Sequence, residues 1–120
     1  MSYILVVDDD TTVADTIARM VNHLGWRTTI SNGPNADMKA IHTQTPALIL
    51  LDMNLPGLSG LEVCRYIKRD PLAADTPVVF VSVEDSPVTV QAALEAGAAD
   101  YLVKPVDVDQ LDNVIKRLAR

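Results

Sequence analysis

At 120 residues, 48% apolar and 22% charged, the chain has material for one hydrophobic core and no compositional bias toward disorder. The longest apolar run, Pro46 to Leu51, falls far short of the ~20 residues that span a bilayer. No basic-then-apolar leader precedes Asp8. A single cysteine, Cys64, excludes an internal disulfide and a Cys-based zinc site, and ten basic against sixteen acidic residues (net −6) argue against direct nucleic-acid binding. These features describe a small acidic domain over residues 1–120, expected in the reducing cytoplasm, whose chemistry must come from carboxylates.

Short apolar runs alternate with amphipathic stretches five times. Tyr3 to Val7 reads as a strand covered on both faces and stops at Asp8-Asp9-Asp10. Val13, Ile17, Val21 and Leu24 form one face of a helix that Gly25 ends. Arg27 to Ser31 is a more polar strand near an edge, followed by the turn Asn32-Gly33-Pro34 and a short helix over 34–43. Ala47 to Leu51 is a second buried strand, and it ends on Asp52. Asn54 to Gly57 reads as a loop, and Ser59 caps a helix with Gly60, Val63, Cys64 and Ile67 on its apolar face.

Pro77 to Ser82 is the fourth strand. Ser86-Pro87 opens a helix that runs to Ala96 and closes at Gly97. Tyr101 to Val103 is the fifth strand, ending at Lys104-Pro105. Asp107 and Gln110 stand in capping-box spacing before Leu111, Val114, Ile115 and Leu118. The order (βα)5 specifies an α/β fold, a doubly wound parallel sheet with helices on both faces.

Ligands of such sheets bind at the carboxyl ends of the strands. Those ends carry Asp8, Asp9 and Asp10, then Asp52, Ser82 and Lys104. Any one alone is commonly a solvated turn or a cap; their convergence on one rim is the informative pattern. Clustered carboxylates raise one another's pKa, and a divalent cation relieves this. Hard oxygen ligands without His or Cys favour Mg²⁺. A carboxylate can act as a nucleophile to form an aspartyl-phosphate, with metal, ammonium and hydroxyl cradling the phosphoryl oxygens.

In combination, Ile4 to Asp10, Leu48 to Gly57 with Gly60, Val81-Ser82, and Glu95 to Pro105 resemble the receiver domain of two-component response regulators across essentially the whole chain. The resemblance implies a flavodoxin-like three-layer sandwich with strand order 2-1-3-4-5. It implies that Asp52 is the phosphoacceptor, that Asp9 binds Mg²⁺ directly and Asp8 through water, and that the main-chain carbonyl of Asn54 is a further ligand. It also assigns Ser82 the switch hydroxyl, Lys104 the phosphoryl-binding ammonium and Tyr101 the switch aromatic, and makes the Lys104–Pro105 peptide cis. Val83 and Glu84 border the entrance, Val83 standing where the family commonly has Ala or Gly. Asp10 is an additional acid, and Ala47 replaces an Asp often found before the third strand.

The function implied is a phosphorylation-dependent signalling switch, not an enzyme beyond its own phosphoryl transfer and autodephosphorylation. Its partners would be a histidine kinase or phosphotransfer protein and an output protein or domain, reached through the face from Pro87 to Arg120, with room there for a homodimer. The competing reading is a degenerate, phosphorylation-independent interaction module, against which the intact quintet Asp8, Asp9, Asp52, Ser82 and Lys104 counts. An Asp-nucleophile phosphohydrolase lacks its second acid at Asn54, and a nucleotide-binding domain lacks glycines between Asp8 and Thr12. Cys64 reads as inert core, and His23, His42 and Trp26 support no catalytic role.

Overall fold

The computed structural model describes residues 2–31 and 41–119. Its elements are β1 (Tyr3–Val7), α1 (Thr11–His23), β2 (Arg27–Ser31), β3 (Leu48–Leu51), β4 (Asn54–Leu55), β5 (Leu58–Ser59), α2 (Gly60–Arg69), β6 (Val78–Ser82), α3 (Pro87–Glu95), β7 (Asp100–Val103) and α4 (Val108–Leu118). Five strands form one parallel sheet in the order β2-β1-β3-β6-β7. Counting sheet strands alone, this is the expected order 2-1-3-4-5, with Arg27–Ser31 at an edge. The turn at 32–34 and the expected helix as far as residue 40 lie outside the described residues; residues 41–43 are helical.

Successive side chains of a strand point to opposite faces, so each buried run feeds two cores. Ile4, Val6, Leu48, Leu50, Val79 and Val81 pack against α1 and α4, while Leu5, Val7, Ile49, Leu51, Val78 and Phe80 pack against α2 and α3. Each such side chain contributes about 1.5–3 kcal/mol when fully buried. This is why these strands read as continuous apolar runs instead of alternating ones.

Helix ends follow the local chemistry of the chain. Asp107 and Gln110 form the reciprocal capping box, and Ser59 Oγ accepts from the Leu61 amide at 3.1 Å. Ser86 precedes Pro87 as expected but makes no side-chain cap bond. Asn54 to Gly57, expected to be a loop, instead belong to a short antiparallel hairpin, β4 on β5, that turns at Gly57 with φ +69°. Leu55 is buried beneath it, which gives the turn an apolar anchor. Among the described residues, no helix is long and apolar enough to cross a membrane.

Gly60 is placed by close approach, the property that makes glycine useful where backbones meet. A Cβ there would lie 2.3 Å from the Asp52 carbonyl oxygen, 2.8 Å from Met53 Cα and 3.0 Å from the Phe80 ring. The Gly60 amide donates to the Met53 carbonyl at 2.7 Å. The first turn of α2 is thereby pressed against the backbone that carries Asp52. Gly60→Ala should destabilise the fold by about 1–3 kcal/mol through overpacking, read as a melting temperature at least roughly 4 °C lower; an unchanged melt would contradict this packing.

Candidate functional site

Parallel pairing aligns the strand ends that carry the site. The Asp52 amide donates to the Val7 carbonyl at 3.0 Å, and the Lys104 amide to the Ser82 carbonyl at 2.9 Å. These bonds place Asp8, Asp52, Ser82 and Lys104 along one rim although they are far apart in sequence. Asp8, Asp52 and Ser82 are buried, Lys104 is half-buried and Asp9 is exposed.

Lys104 Nζ is shared. It lies 2.7 Å from Asp8 Oδ2 and 3.2 Å from Asp52 Oδ2. The other oxygen of Asp8 accepts from the Asp10 amide at 3.0 Å, and the other oxygen of Asp52 from the Asn54 amide at 3.3 Å. Asp8, Asp9 and Asp52 each offer a carboxylate oxygen within 4.8 Å of the others, a grouping able to hold a metal ion. The hard oxygen donors, with no thiol or imidazole among them, fit a hard divalent cation.

Asp10, the additional acid, has a different task. Its carboxylate caps α1, accepting from the Thr12 and Val13 amides at 3.1 and 3.2 Å. That use of the side chain separates it from the three clustered acids, a distinction the run Asp8-Asp9-Asp10 does not carry by itself.

The electrostatics of the pair are asymmetric. Burial raises the Asp52 pKa; Lys104 opposes this, but Asp8 adds to it, and the carboxyl ends above its ordinary value. For Lys104, burial favours the neutral amine, yet Asp8 and Asp52 together outweigh it and raise its pKa. The ammonium faces two carboxylates, whereas Asp52 faces one ammonium and one like charge. Lys104 therefore stays charged while Asp52 is held at a cost.

Ser82 and Tyr101 meet directly, the Ser82 side chain favouring the ionised phenol against burial, and also through the backbone of Glu84. Ser82 Oγ accepts from the Glu84 amide at 3.3 Å, and the Tyr101 hydroxyl donates to the Glu84 carbonyl at 2.7 Å. Burial raises the Tyr101 phenol pKa. Its ring stacks on Phe80 with centroids 5.8 Å apart and planes 15° from parallel. Val83 is 66% exposed and, with Lys104, Pro105 and residues of α1, lines an apolar hollow of about 310 Å³ beside the rim. The Lys104–Pro105 peptide is cis, as the resemblance implies. Cys64 is buried, and its thiol pKa is raised by burial.

Two participants escape a reading of residue types. Gly60 was legible as a helix-face residue but not as the contact behind Asp52, and Phe80 was legible only as a strand residue. For Phe80 the signal is register, because Leu51, Phe80 and Tyr101 are consecutive partners across the sheet; for Gly60 it is the close approach of the helix start to the Asp52–Met53 backbone.

Residues 4–116 match the sequence profile of the response regulator receiver domain. The chain belongs to that family. It is 34% identical over 108 residues to the DNA-binding response regulator MtrA of Mycobacterium tuberculosis, covering 90% of this chain and 46% of MtrA. The chain thus spans about half the length of the curated relatives it matches. The receiver domain of NtrX from Brucella abortus superposes with a TM-score of 0.88 at 32% identity, covering 96% of each chain. The BeF3-activated N-terminal receiver domain of Klebsiella pneumoniae RstA gives 0.88 at 27% identity, covering 99% of each. As a receiver domain, the chain is of the class that signals through a phosphorylation-dependent switch.

The raised Asp52 pKa carries a sign for stability. The folded chain holds this proton more tightly than the unfolded chain, so stability from Asp52 is greatest below its ordinary pKa of 3.8 and falls as pH rises through the folded value. Once the carboxyl ionises that contribution is lost, and an amide in its place would carry no charge to desolvate. In chelator-treated buffer, Asp52→Asn should melt higher than wild type at pH 7, each ~1 kcal/mol of relieved strain raising the melting temperature by roughly 4 °C. The gap should close as pH falls toward 4. An equal or lower melting temperature at pH 7 would contradict the assignment of strain to Asp52.

Proposed function

We propose that Asp52 is the phosphoacceptor of this receiver domain and that the chain works in the cytoplasm as a switch between a histidine kinase or phosphotransfer protein and an output protein or domain. The observation that carries this is the buried Asp52 carboxylate, clustered with Asp8 and Asp9 and bonded to Lys104 at 3.2 Å. An Asp52 oxygen attacks the phosphorus of a phosphohistidine, the P–N bond breaks, and the leaving imidazole takes a proton. Lys104, already charged and already at the acceptor, faces the phosphoryl oxygens as negative charge gathers there. Hydrolysis of the aspartyl-phosphate returns carboxylate and phosphate, so the protein catalyses only its own modification.

The donor set fits Mg²⁺, which would be held by Asp9, Asp52 and the main-chain carbonyl of Asn54, with Asp8 acting through water. When bound it supplies positive charge against the clustered acids and the phosphoryl group. The Ser82 hydroxyl, now accepting from the Glu84 amide, is placed to turn toward a phosphoryl group on Asp52. Releasing Glu84 would disturb its carbonyl bond to Tyr101, and this links the modification to the face from Pro87 onward. Val83 stands at the lip of the entrance and Glu84 beside it, where they bear on the approach of water and donors. Exposed Val88, Leu94 and Val103 give the Pro87–Arg120 face an apolar surface for an output partner or a second copy.

With acetyl phosphate and Mg²⁺, the intact mass of the wild type should rise by one phosphoryl group, and that of Asp52→Asn should not. A mutant that still gains a stable phosphoryl group would mean that another side chain is the principal acceptor.

A further inference from the structure

The ring of Phe80 occupies a position that the switch residues do not explain. Phe80 is the only phenylalanine of the chain and is fully buried at the middle of β6. In the sheet its Cα pairs with Leu51, the residue before Asp52, on one side and with Tyr101 on the other. Val7, the residue before Asp8, pairs with Leu51, so Val7, Leu51, Phe80 and Tyr101 form one cross-strand row. All four belong to or pack against the same core, under α2 and α3.

Two contacts single out the ring within that row. On one side it lies so close to Gly60 that a Cβ there would sit 3.0 Å from Phe80 Cε2, and the same Cβ would meet the Asp52 carbonyl. On the other it stacks on Tyr101. A rigid ring therefore spans the space between the backbone that carries the acceptor and the aromatic side chain at β7. The Tyr101 side chain is held at two points, its hydroxyl by the Glu84 carbonyl and its ring by Phe80. The hydroxyl contact reports on Ser82 through Glu84; the ring contact reports on residues 52–60.

We propose that Phe80 is a positioning residue that couples the Asp52–Gly60 segment to the orientation of Tyr101. Interiors are close-packed, so a displacement at the first turn of α2 is carried to the ring that abuts it. An offset-stacked aromatic pair has a preferred geometry, which lets one ring orient the other where an aliphatic side chain would only fill space. Coupling is reciprocal: whatever the acceptor segment does to Tyr101 through Phe80, the orientation of Tyr101 does to the acceptor segment. The coupling rests on the switch reading for its use, but the holding of Tyr101 by Phe80 does not.

The test uses the whole protein with ¹³C-labelled tyrosine rings observed by NMR, Tyr101→Phe assigning the Tyr101 signal. Phe80→Leu is the principal variant, because hydrophobic exchange at such a position is usually tolerated; Phe80→Met serves if that variant does not fold. Without ligand, the variant should move the Tyr101 signal toward its position in the urea-unfolded chain while Tyr3 and Tyr66 stay in place. A Tyr101 signal that does not move overturns the proposal, whatever becomes of phosphorylation. With Mg²⁺ and beryllofluoride, the response of Tyr101 should fall at least threefold in the variant, while acetyl phosphate still adds a phosphoryl group to Asp52. A full response in the variant also overturns it. A wild type that neither responds to beryllofluoride nor gains a phosphoryl group overturns the switch reading instead, and the ligand-free comparison then decides the role of Phe80.

Discussion

The ammonium of Lys104, drawn between two buried carboxylates, is the contact on which the site depends. It joins residues 96 and 52 positions apart in the chain, and it can do so only because β1 and β3 lie side by side, with β6 between β3 and β7. Removing the one cation of this buried group would leave two carboxylates uncompensated, which costs about 3–5 kcal/mol. The group is nonetheless short of positive charge. One ammonium serves Asp8 and Asp52, and Asp9 stands beside them within the same 4.8 Å grouping. The resting rim is therefore held together and strained by the same charges, and further cationic charge relieves it.

Most of the architecture was legible because the local signals agree with one another. Buried strands read as unbroken apolar runs, glycines at 25 and 97 adopt positive φ after their helices, and the Asp107/Gln110 spacing forms the capping box it suggests. Strand order was not legible from alternation alone, since it depends on which crossover passes over which face; the family resemblance supplied it. The hairpin at 54–59 was missed because two paired residues leave no periodicity to detect, and what stabilises it is the burial of Leu55.

The site divides along similar lines. Carboxylates, a hydroxyl and a lysine after strand ends are visible by type, and their convergence follows from the parallel sheet. Roles that arise from packing are not visible by type. Asp10 looks like its neighbours in sequence and differs only because its side chain turns back onto the amides of α1. Gly60 and Phe80 matter through close contacts across the sheet and the α2 terminus, and strands buried on both faces show no alternation from which their register could be read. Tyr101 was legible as an aromatic at the right strand, whereas its two points of attachment were not.

The most direct measurement of the central claim, that the acidic rim is a site under repulsion awaiting a divalent cation, is the melting temperature with and without Mg²⁺ at neutral pH. A ligand that binds only the folded state stabilises it by mass action, about 2.7 kcal/mol at a hundredfold excess over its dissociation constant. The wild type should melt several degrees higher with Mg²⁺, and Asp9→Asn, which removes an exposed acid of the cluster without touching the Lys104 contacts, should lose most of that rise. Equal melting temperatures for the wild type, or an undiminished rise in Asp9→Asn, would contradict it.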